Sequence, residues 1–247
     1  MASVTQSGAK PETSKAAAIG FWLGLLGLLV LLVAGPGYKG HVWDLKIGLL
    51  VMIPAALFLG LAAIILSLIG MFRSQSKGRG LLGLLLGLVA AGLPAMNINA
   101  AAHAPIHDVS TDTANPPQYV AVMPARNSVQ HGNSTTYDDK TAKKQREIYS
   151  DIAPVTLDLP PAQAFDRALA TARGFGWEIV TNDAAQGRIE ATATTFWFGF
   201  KDDVAIRITP QGSGSRVDIR SLSRIGESDV GVNAKRIRAY VSKLKAA

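Results

Sequence analysis

The fold turns on residues 202–224, "DDVAIRITPQGSGSRVDIRSLSR". Two runs that alternate apolar and polar residues flank a glycine-serine turn, the signature of a β-hairpin. Centring the turn near Gly212 and Ser213 sets Arg207 opposite Asp218, Ala205 opposite Arg220 and Asp203 opposite Leu222. The same register sends Val204, Ile206, Ile208, Val217 and Ile219 to the other face, so pairing and burial agree. The charged face then has two readings. One is a solvated sheet surface stitched by cross-strand ion pairs such as Arg207–Asp218, the ordinary arrangement for an antiparallel sheet. The other is an anion site lined by Arg207, Arg220 and Arg224. Asp202 and Asp203 point to opposite faces, so they do not form an acid/base pair.

Working outward, "APVTLDL" (153–159) reads as a short strand leading into Pro160 and Pro161, residues suited to a helix start. Phe165, Ala168, Leu169 and Ala172 then recur at helical spacing until Gly174 and Gly176. "WEIVT" and "RIEATAT" are strands, the second with Ile189, Ala191 and Ala193 on one face. After the hairpin, a helix from about Ser228 carries Val230, Ala234, Ile237, Val241 and Leu244 on one side. Ser228 is its expected N-cap and Asp229 suits the positive end of its dipole. The order strand, helix, four strands, helix predicts an α+β domain over 151–247, an antiparallel sheet with two covering helices.

The first part of the chain has another character. Uncharged apolar stretches at about 16–34, 47–72 and 80–97 predict three transmembrane helices, since about 20 apolar residues cross a bilayer. The second is long enough to tilt or to kink at Pro54. A cleaved signal peptide fits the first stretch poorly, because it is too long and two more follow. Gly20 and Gly24, and Gly83 and Gly87, have the spacing of close helix contacts, although glycine is common in such segments. No Asp, Glu, Lys, Arg or His falls within a span, which argues against a transport or proton path. Lys10 and Lys15 precede the first span, and Arg73, Lys77 and Arg79 crowd the second loop. Excess positive charge marks the cytoplasmic side, so the N-terminus (1–15) is expected inside and everything after the third span outside. In a bacterium this is an inner-membrane protein with a periplasmic domain.

Charge supports that division. The chain of 247 residues has net charge +7, of which +5 belongs to residues 1–97. The excess therefore flanks apolar segments and does not build a nucleic-acid-binding face. Residues 98–150, with "NPPQY" (115–119) and "RNSVQHGNSTTYDDK" (126–140), read as an extended Pro/Asn-rich segment, with a short helix at "TAKKQREIY".

Motifs for chemistry are sparse. The chain has no cysteine, which removes thiolate catalysis and cysteine metal sites. His103 and His107 have ligand-like spacing, but Pro105 prevents the helix that would align them, and Asp108 and Asp112 only make a loop metal site conceivable. No nucleophile elbow, phosphate loop or dinucleotide fingerprint occurs. "FWFGF" (196–200) is either a platform for membrane or an apolar ligand, or a turn packed under the last helix.

Three stretches, "HDVSTDTANPPQY" (107–119), "GRIEATATTFWFGFKDDVAIRI" (187–208) and "RVDIRSLSRIGESDVGVNAKRIRAY" (216–240), together resemble the bacterial domain-of-unknown-function 1499 family. The resemblance implies an exported or membrane-attached protein without an established activity. It also implies that residues around Asp112, Pro116 and Pro117 belong to the domain. Further family-motif positions are Asp202 and Asp203, then Arg220, Ser221, Ser223, Arg224 and Gly226, then Asp229, Gly231 and Asn233. Leu222 stands where many relatives have alanine.

The expected role is a non-enzymatic binding or envelope-associated module with no cofactor and no metal. Its partners are the lipid bilayer and an envelope protein or anionic small ligand. The candidate binding residues are Arg220, Ser223, Arg224, Asp229, Asn233, Asp203 and Asp112. The alternatives are a hydrolase-like enzyme using Asp112, Asp203 or Asp229 with Arg224, and a structural subunit of a membrane assembly.

Overall fold

The structure, a computed structural model, describes residues 14–73 and 77–246. It divides into two compact units, one running to Ile98 and the other starting at Asn99.

The first unit is made of the helices α1 (Lys15–Lys39), α2 (Ile53–Arg73) and most of α3 (Gly78–His103), whose last residues belong to the second unit. With the turn Ile47–Met52 continuing into α2, each is long and apolar enough to cross a membrane, at mean hydropathies of 2.5, 2.8 and 2.0. The Ile47–Met52 turn is a π-helix just before Pro54. Proline lacks the N–H that would close the preceding turn, and its ring crowds that turn, so the helix widens there. The third helix runs past the expected end at 97 as far as His103. The expected cytoplasmic segment, with Lys10, lies mostly outside the described residues.

The glycine spacing is explained inside this unit. Gly20 of α1 faces Ser67 and Ala63 of α2, Gly24 faces Gly83 and Gly87 of α3, and Gly87 faces Gly60 of α2. A Cβ at these crossings would press on a neighbouring helix, so the small residues let three helices of one chain approach closely. Leu26, Leu29, Phe58, Ile65, Leu82 and Leu85 point outward, as an apolar solvent requires.

In the second unit, β1 (Asp108–Ser110), β2 (Val155–Leu157), β3 (Glu178–Asp183), β4 (Arg188–Thr194), β5 (Lys201–Gln211) and β6 (Gly214–Ser223) form one sheet. The order is β1-β6-β5-β4-β3, with β2 beside the other half of β6, and all pairings are antiparallel. The β5–β6 register is the one read from the sequence: Arg207 opposite Asp218, Ala205 opposite Arg220, Asp203 opposite Leu222.

On one face, α6 (Pro161–Gly174) and α7 (Val232–Ala246) cover the apolar side chains. Phe165, Ala168, Ile237, Tyr240 and Leu244 form a single core with Ile189, Val204, Ile206, Val217 and Ile219. Tyr240 keeps its hydroxyl bonded to the Ala168 carbonyl at 2.8 Å, and Trp177 stacks on its ring. The last helix begins at Val232 rather than near Ser228. Asp229, not Ser228, satisfies its first turn, accepting from the N–H groups of Gly231 (2.8 Å) and Asn233 (2.7 Å).

The opposite face corrects the solvated reading. Glu190, Thr192, Asp203, Asp218, Arg220 and Leu222 are all buried. Their cover is the stretch from Thr111 to about Asp138, which holds the short helix α4 (Met123–Asn127) and leads into α5 (Asp139–Ile148). Tyr119 and Val122 from this stretch form a second small core with Ala205 and Leu222. The extended Pro/Asn-rich segment, expected to belong partly to the domain, supplies one layer of it from Thr111 to about Asp138.

Candidate functional site

Because side chains alternate across a strand, residues 203, 205 and 207 of β5 and 216, 218, 220 and 222 of β6 must share the covered face. Four carboxylates on or against that face therefore sit where water is scarce, and each needs several donors to stay charged.

Asp203 is the most completely satisfied. Its Oδ1 accepts from Thr192 Oγ1 and Arg224 Nη2, both at 2.8 Å. Its Oδ2 accepts from Arg126 Nη1 at 2.8 Å and Arg224 Nε at 2.9 Å. Arg224 thus grips the carboxylate at two points from β6's end, while Arg126 reaches it from α4. The bidentate fork explains why arginine, not lysine, stands at 224.

Arg220, fully buried, is paired with Asp108 of β1 at 3.0 Å (Nε to Oδ1) and 2.6 Å (Nη2 to Oδ2). Its remaining N–H groups reach the carbonyls of Pro117 (3.2 Å) and Thr135 (2.7 Å) in the cover. Its guanidinium lies over the rings of Tyr119 and Tyr137, at 4.9 and 5.3 Å from the centroids. Burial pushes the Asp108 carboxyl above its usual value, and the hydrogen bond and charge of Arg220 pull the other way. Burial also raises both tyrosines, which keep their protons. Tyr119 donates to the Asp203 carbonyl at 3.1 Å and Tyr137 to Gln145 Oε1 at 2.7 Å. Gln145, from α5, acts as a one-residue strand beside β1: Ser110 N–H donates to its oxygen and its amide donates back to Ser110 O.

Further along the face, Glu190 accepts from the backbone N–H groups of Val120 and Val122, at 3.0–3.1 Å. At the far end, Asp112 and Asp218 share Arg207 and Arg216, with contacts of 2.8–3.0 Å. Asp112 Oδ1 also caps the turn at Ala114 and Asn115.

Behind the sheet lies a separate network. Asn233, on the first turn of α7, donates to the His107 carbonyl (2.9 Å) and to Ser223 Oγ (3.0 Å), and accepts from Ser221 Oγ and Arg236. Arg236 continues to Asp202 at 2.6 Å. Burial raises the Asp229 carboxyl against the opposing pull of its backbone hydrogen bonds.

The seven candidate residues are therefore not one cluster. Asp203 and Arg224 touch, and Arg220 shares their face but is held on Asp108. Asp112 belongs to the other end of that face. Ser223, Asp229 and Asn233 gather on the helix side, so Arg224 and Asn233, neighbours in the expected cluster, are on opposite sides of the sheet. The sequence gives no partner for Arg126, Glu190, Gln145 or Arg236, and Asp108, read beside His107 as part of a conceivable loop metal site, instead holds Arg220. Glu190 carried a signal, since it alternates with Ile189 and Ala191, but Arg126 and Gln145 lie in segments whose pattern names no partner.

The histidine pair is also separated. His103 Nδ1 meets the Asn99 carbonyl at 2.8 Å, whereas His107 Nδ1 meets that of Glu227 at 3.1 Å. Next to the Asp108–Arg220 pair is an open cleft of about 240 Å³, whose walls include His107, Asp108, Asp138, Lys140, Lys144 and Glu227.

Comparison with curated proteins gives no match. A comparison with protein families matches residues 108–244, from the first residue of β1 almost to the end of α7. That stretch contains both faces of the sheet and all of the carboxylate–guanidinium pairs described above, and the chain belongs to the family described as protein of unknown function (DUF1499).

Proposed function

We propose that the protein is a bacterial inner-membrane protein that holds its α+β unit in the periplasm as a rigid, non-enzymatic binding module. The observation that carries this reading is the closure of the motif charges. The acceptor positions of Asp203, Asp229 and Asp112 each receive an N–H or O–H from the protein itself. A general base or nucleophile needs a lone pair turned toward substrate. Two buried guanidinium–carboxylate systems, at Asp203 and at Asp108, and a half-buried one at Asp112 and Asp218 instead help to fix the cover to the sheet. Periplasmic placement rests on Arg73, Lys77 and Arg79 at the second loop and on three crossings.

An anionic small ligand or an acidic segment of an envelope protein is the partner chemistry that fits. Arg207, Arg220 and Arg224 are already neutralised by carboxylates. Lys140 and Lys144 line the cleft beside His107 and are the cations offered to a ligand there.

Two measurements test the reading. A reporter active only in the periplasm, fused after Ala247, is expected to be active; an expressed but silent fusion overturns the placement. The full chain in detergent is expected to gain thermal stability with polyanionic probes such as pyrophosphate or an acidic peptide, and to lose that gain in Lys140→Ala/Lys144→Ala. No gain with any probe, together with no crosslinked partner in cells, overturns the binding role.

A further inference from the structure

The sequence places four aromatics at 196–200, between β4 and β5. Phe198 is buried and stacks on Phe200 at 5.1 Å, with Trp197 edge-on at 5.2 Å. Phe196 is the opposite case: it is 94% exposed, the most exposed large apolar side chain of this unit among the described residues. The turn that displays it is well tied. Thr195 N–H donates to the Phe200 carbonyl (2.9 Å), Gly199 N–H to that of Thr195 (3.0 Å), and Phe200 N–H to Thr195 Oγ1 (2.8 Å). Gly199 takes a φ of +71°, which a side chain at that position would resist. An exposed phenyl on a fixed turn is a poor arrangement for water.

Strand register locates it. Ala193 stands opposite Asp202, and Asp202 opposite Ser223. Ser223 N–H then donates to the carbonyl of His107. The aromatic turn thus leaves the sheet at the end where the chain enters it. At about 4.8 Å per strand, three steps separate it from the entering strand, roughly 14 Å. Only residues 104–106 lie between His107 and His103, the last residue of α3, which is one of the three helices able to cross a membrane. The two other hairpin turns leave the sheet at the far end. They read "AAQG" (184–187) and "GS" (212–213), without an aromatic or any large apolar residue.

We propose that the β4–β5 turn docks on the lipid–water interface of the membrane that its own chain spans, with Phe196 as the inserted side chain. Aromatic residues favour that interface, where an apolar ring meets lipid and neighbouring polar groups stay wet. Lys201, at the base of the turn and bonded to Thr194 Oγ1 at 2.7 Å, sits where phosphate headgroups would lie. The short connection keeps the turn at high effective concentration over the bilayer, so even a weak insertion is occupied. This inference rests on the membrane-crossing helices of the reading above, but not on which side the unit faces or on any ligand.

The test uses the full chain in phosphatidylcholine vesicles. The sequence contains no cysteine, so Phe196→Cys and Ser213→Cys each supply one thiol for an environment-sensitive fluorophore. Both positions are exposed, so the fold tolerates the change. The label at 196 is expected to emit further to the blue, to be quenched by brominated lipid tails and to be shielded several-fold from aqueous iodide; the label at 213 is expected to show the reverse. Equal iodide access at both positions, with no lipid quenching at 196, overturns the proposal. Shielding at 196 without lipid quenching also overturns it, because the cover is then protein. A silent periplasmic reporter after Ala247 would reverse the topology and leave these results unchanged.

Discussion

The two faces of the sheet are built on different principles. Behind the sheet, α6 and α7 bury a continuous apolar core in which neighbours are exchangeable in kind, if not in size. In front, Tyr119, Val122, Ala205 and Leu222 give only a small apolar patch, and the cover is held by directed contacts to Asp203, Arg220, Glu190 and Arg207. A non-directional force tolerates regular helices laid over a surface. Directed hydrogen bonds can hold an irregular segment, because each donor need only reach its own acceptor. Part of the family motif follows the second principle: Asp112, Asp203, Arg220 and Arg224 build the front of the domain, whereas Asp202 and Asp229 lie behind the sheet.

The largest expected effect tests the front face at its centre. Arg220→Met strands Asp108 in a dry site and removes the donors to Pro117 and Thr135. Removing one partner of a buried pair costs about 3–5 kcal/mol, so thermal melting of the full chain should fall steeply or folding should fail. Asp108→Leu added to Arg220→Met is expected to restore part of the loss, because no buried charge remains. Restoration stays incomplete, since two carbonyls still lack their donor. A double variant no more stable than Arg220→Met would show that the pair itself, not its isolation, matters.

Glu190→Ala separates the two layers next. It deprives the Val120 and Val122 N–H groups of their acceptor, at a cost of about 1–3 kcal/mol. Hydrogen exchange is expected to quicken at Val120 and Val122 and to stay slow at Ile206 and Ile208 behind the sheet. Uniform acceleration would mean that cover and core open together. On the rear face, Ile206→Val removes one buried methylene and is expected to cost about 0.5–1.5 kcal/mol, lowering the melting temperature without any selective exchange at the cover.

These differences explain what could be read from the residues alone. The rear face announced itself, because Val204, Ile206 and Ile208 alternate and Phe165, Ala168 and Leu169 repeat at helical spacing. Even the hairpin register followed, since a shift by one residue would have put every isoleucine in the wrong layer. The front face had no comparable period. Asp108 and Arg220 are 112 residues apart, and nothing in "NPPQYVAVMPARN" says that Arg126 will meet Asp203. A charged strand face looks the same whether water or an ordered loop covers it. The hairpin register put Asp203 and Arg220 on one strand face, but the partners that reach them from the cover were hidden in the irregular segment.

Acidity separates a buried carboxylate from an exposed one, and here the comparison predicts opposite signs. Asp229 has its pKa raised by burial, so the folded state holds that proton more tightly than the unfolded chain does. Its favourable contribution is complete below the unfolded value, about 3.9, and is lost as pH rises through the higher native value. Asp151, largely exposed, is lowered by its hydrogen bond with Arg238. Its contribution is present above about 3.9 and disappears as pH falls through the lower native value. Denaturant titrations in steps of pH should therefore show Asp229→Asn flattening the decline above 3.9, while Asp151→Asn flattens the rise below it. High salt should erase the second effect, because screening reaches an exposed pair, and should leave the first in place. A decline above 3.9 that persists in Asp229→Asn would move its origin to the front face, where Asp108 is raised in the same direction beside Arg220.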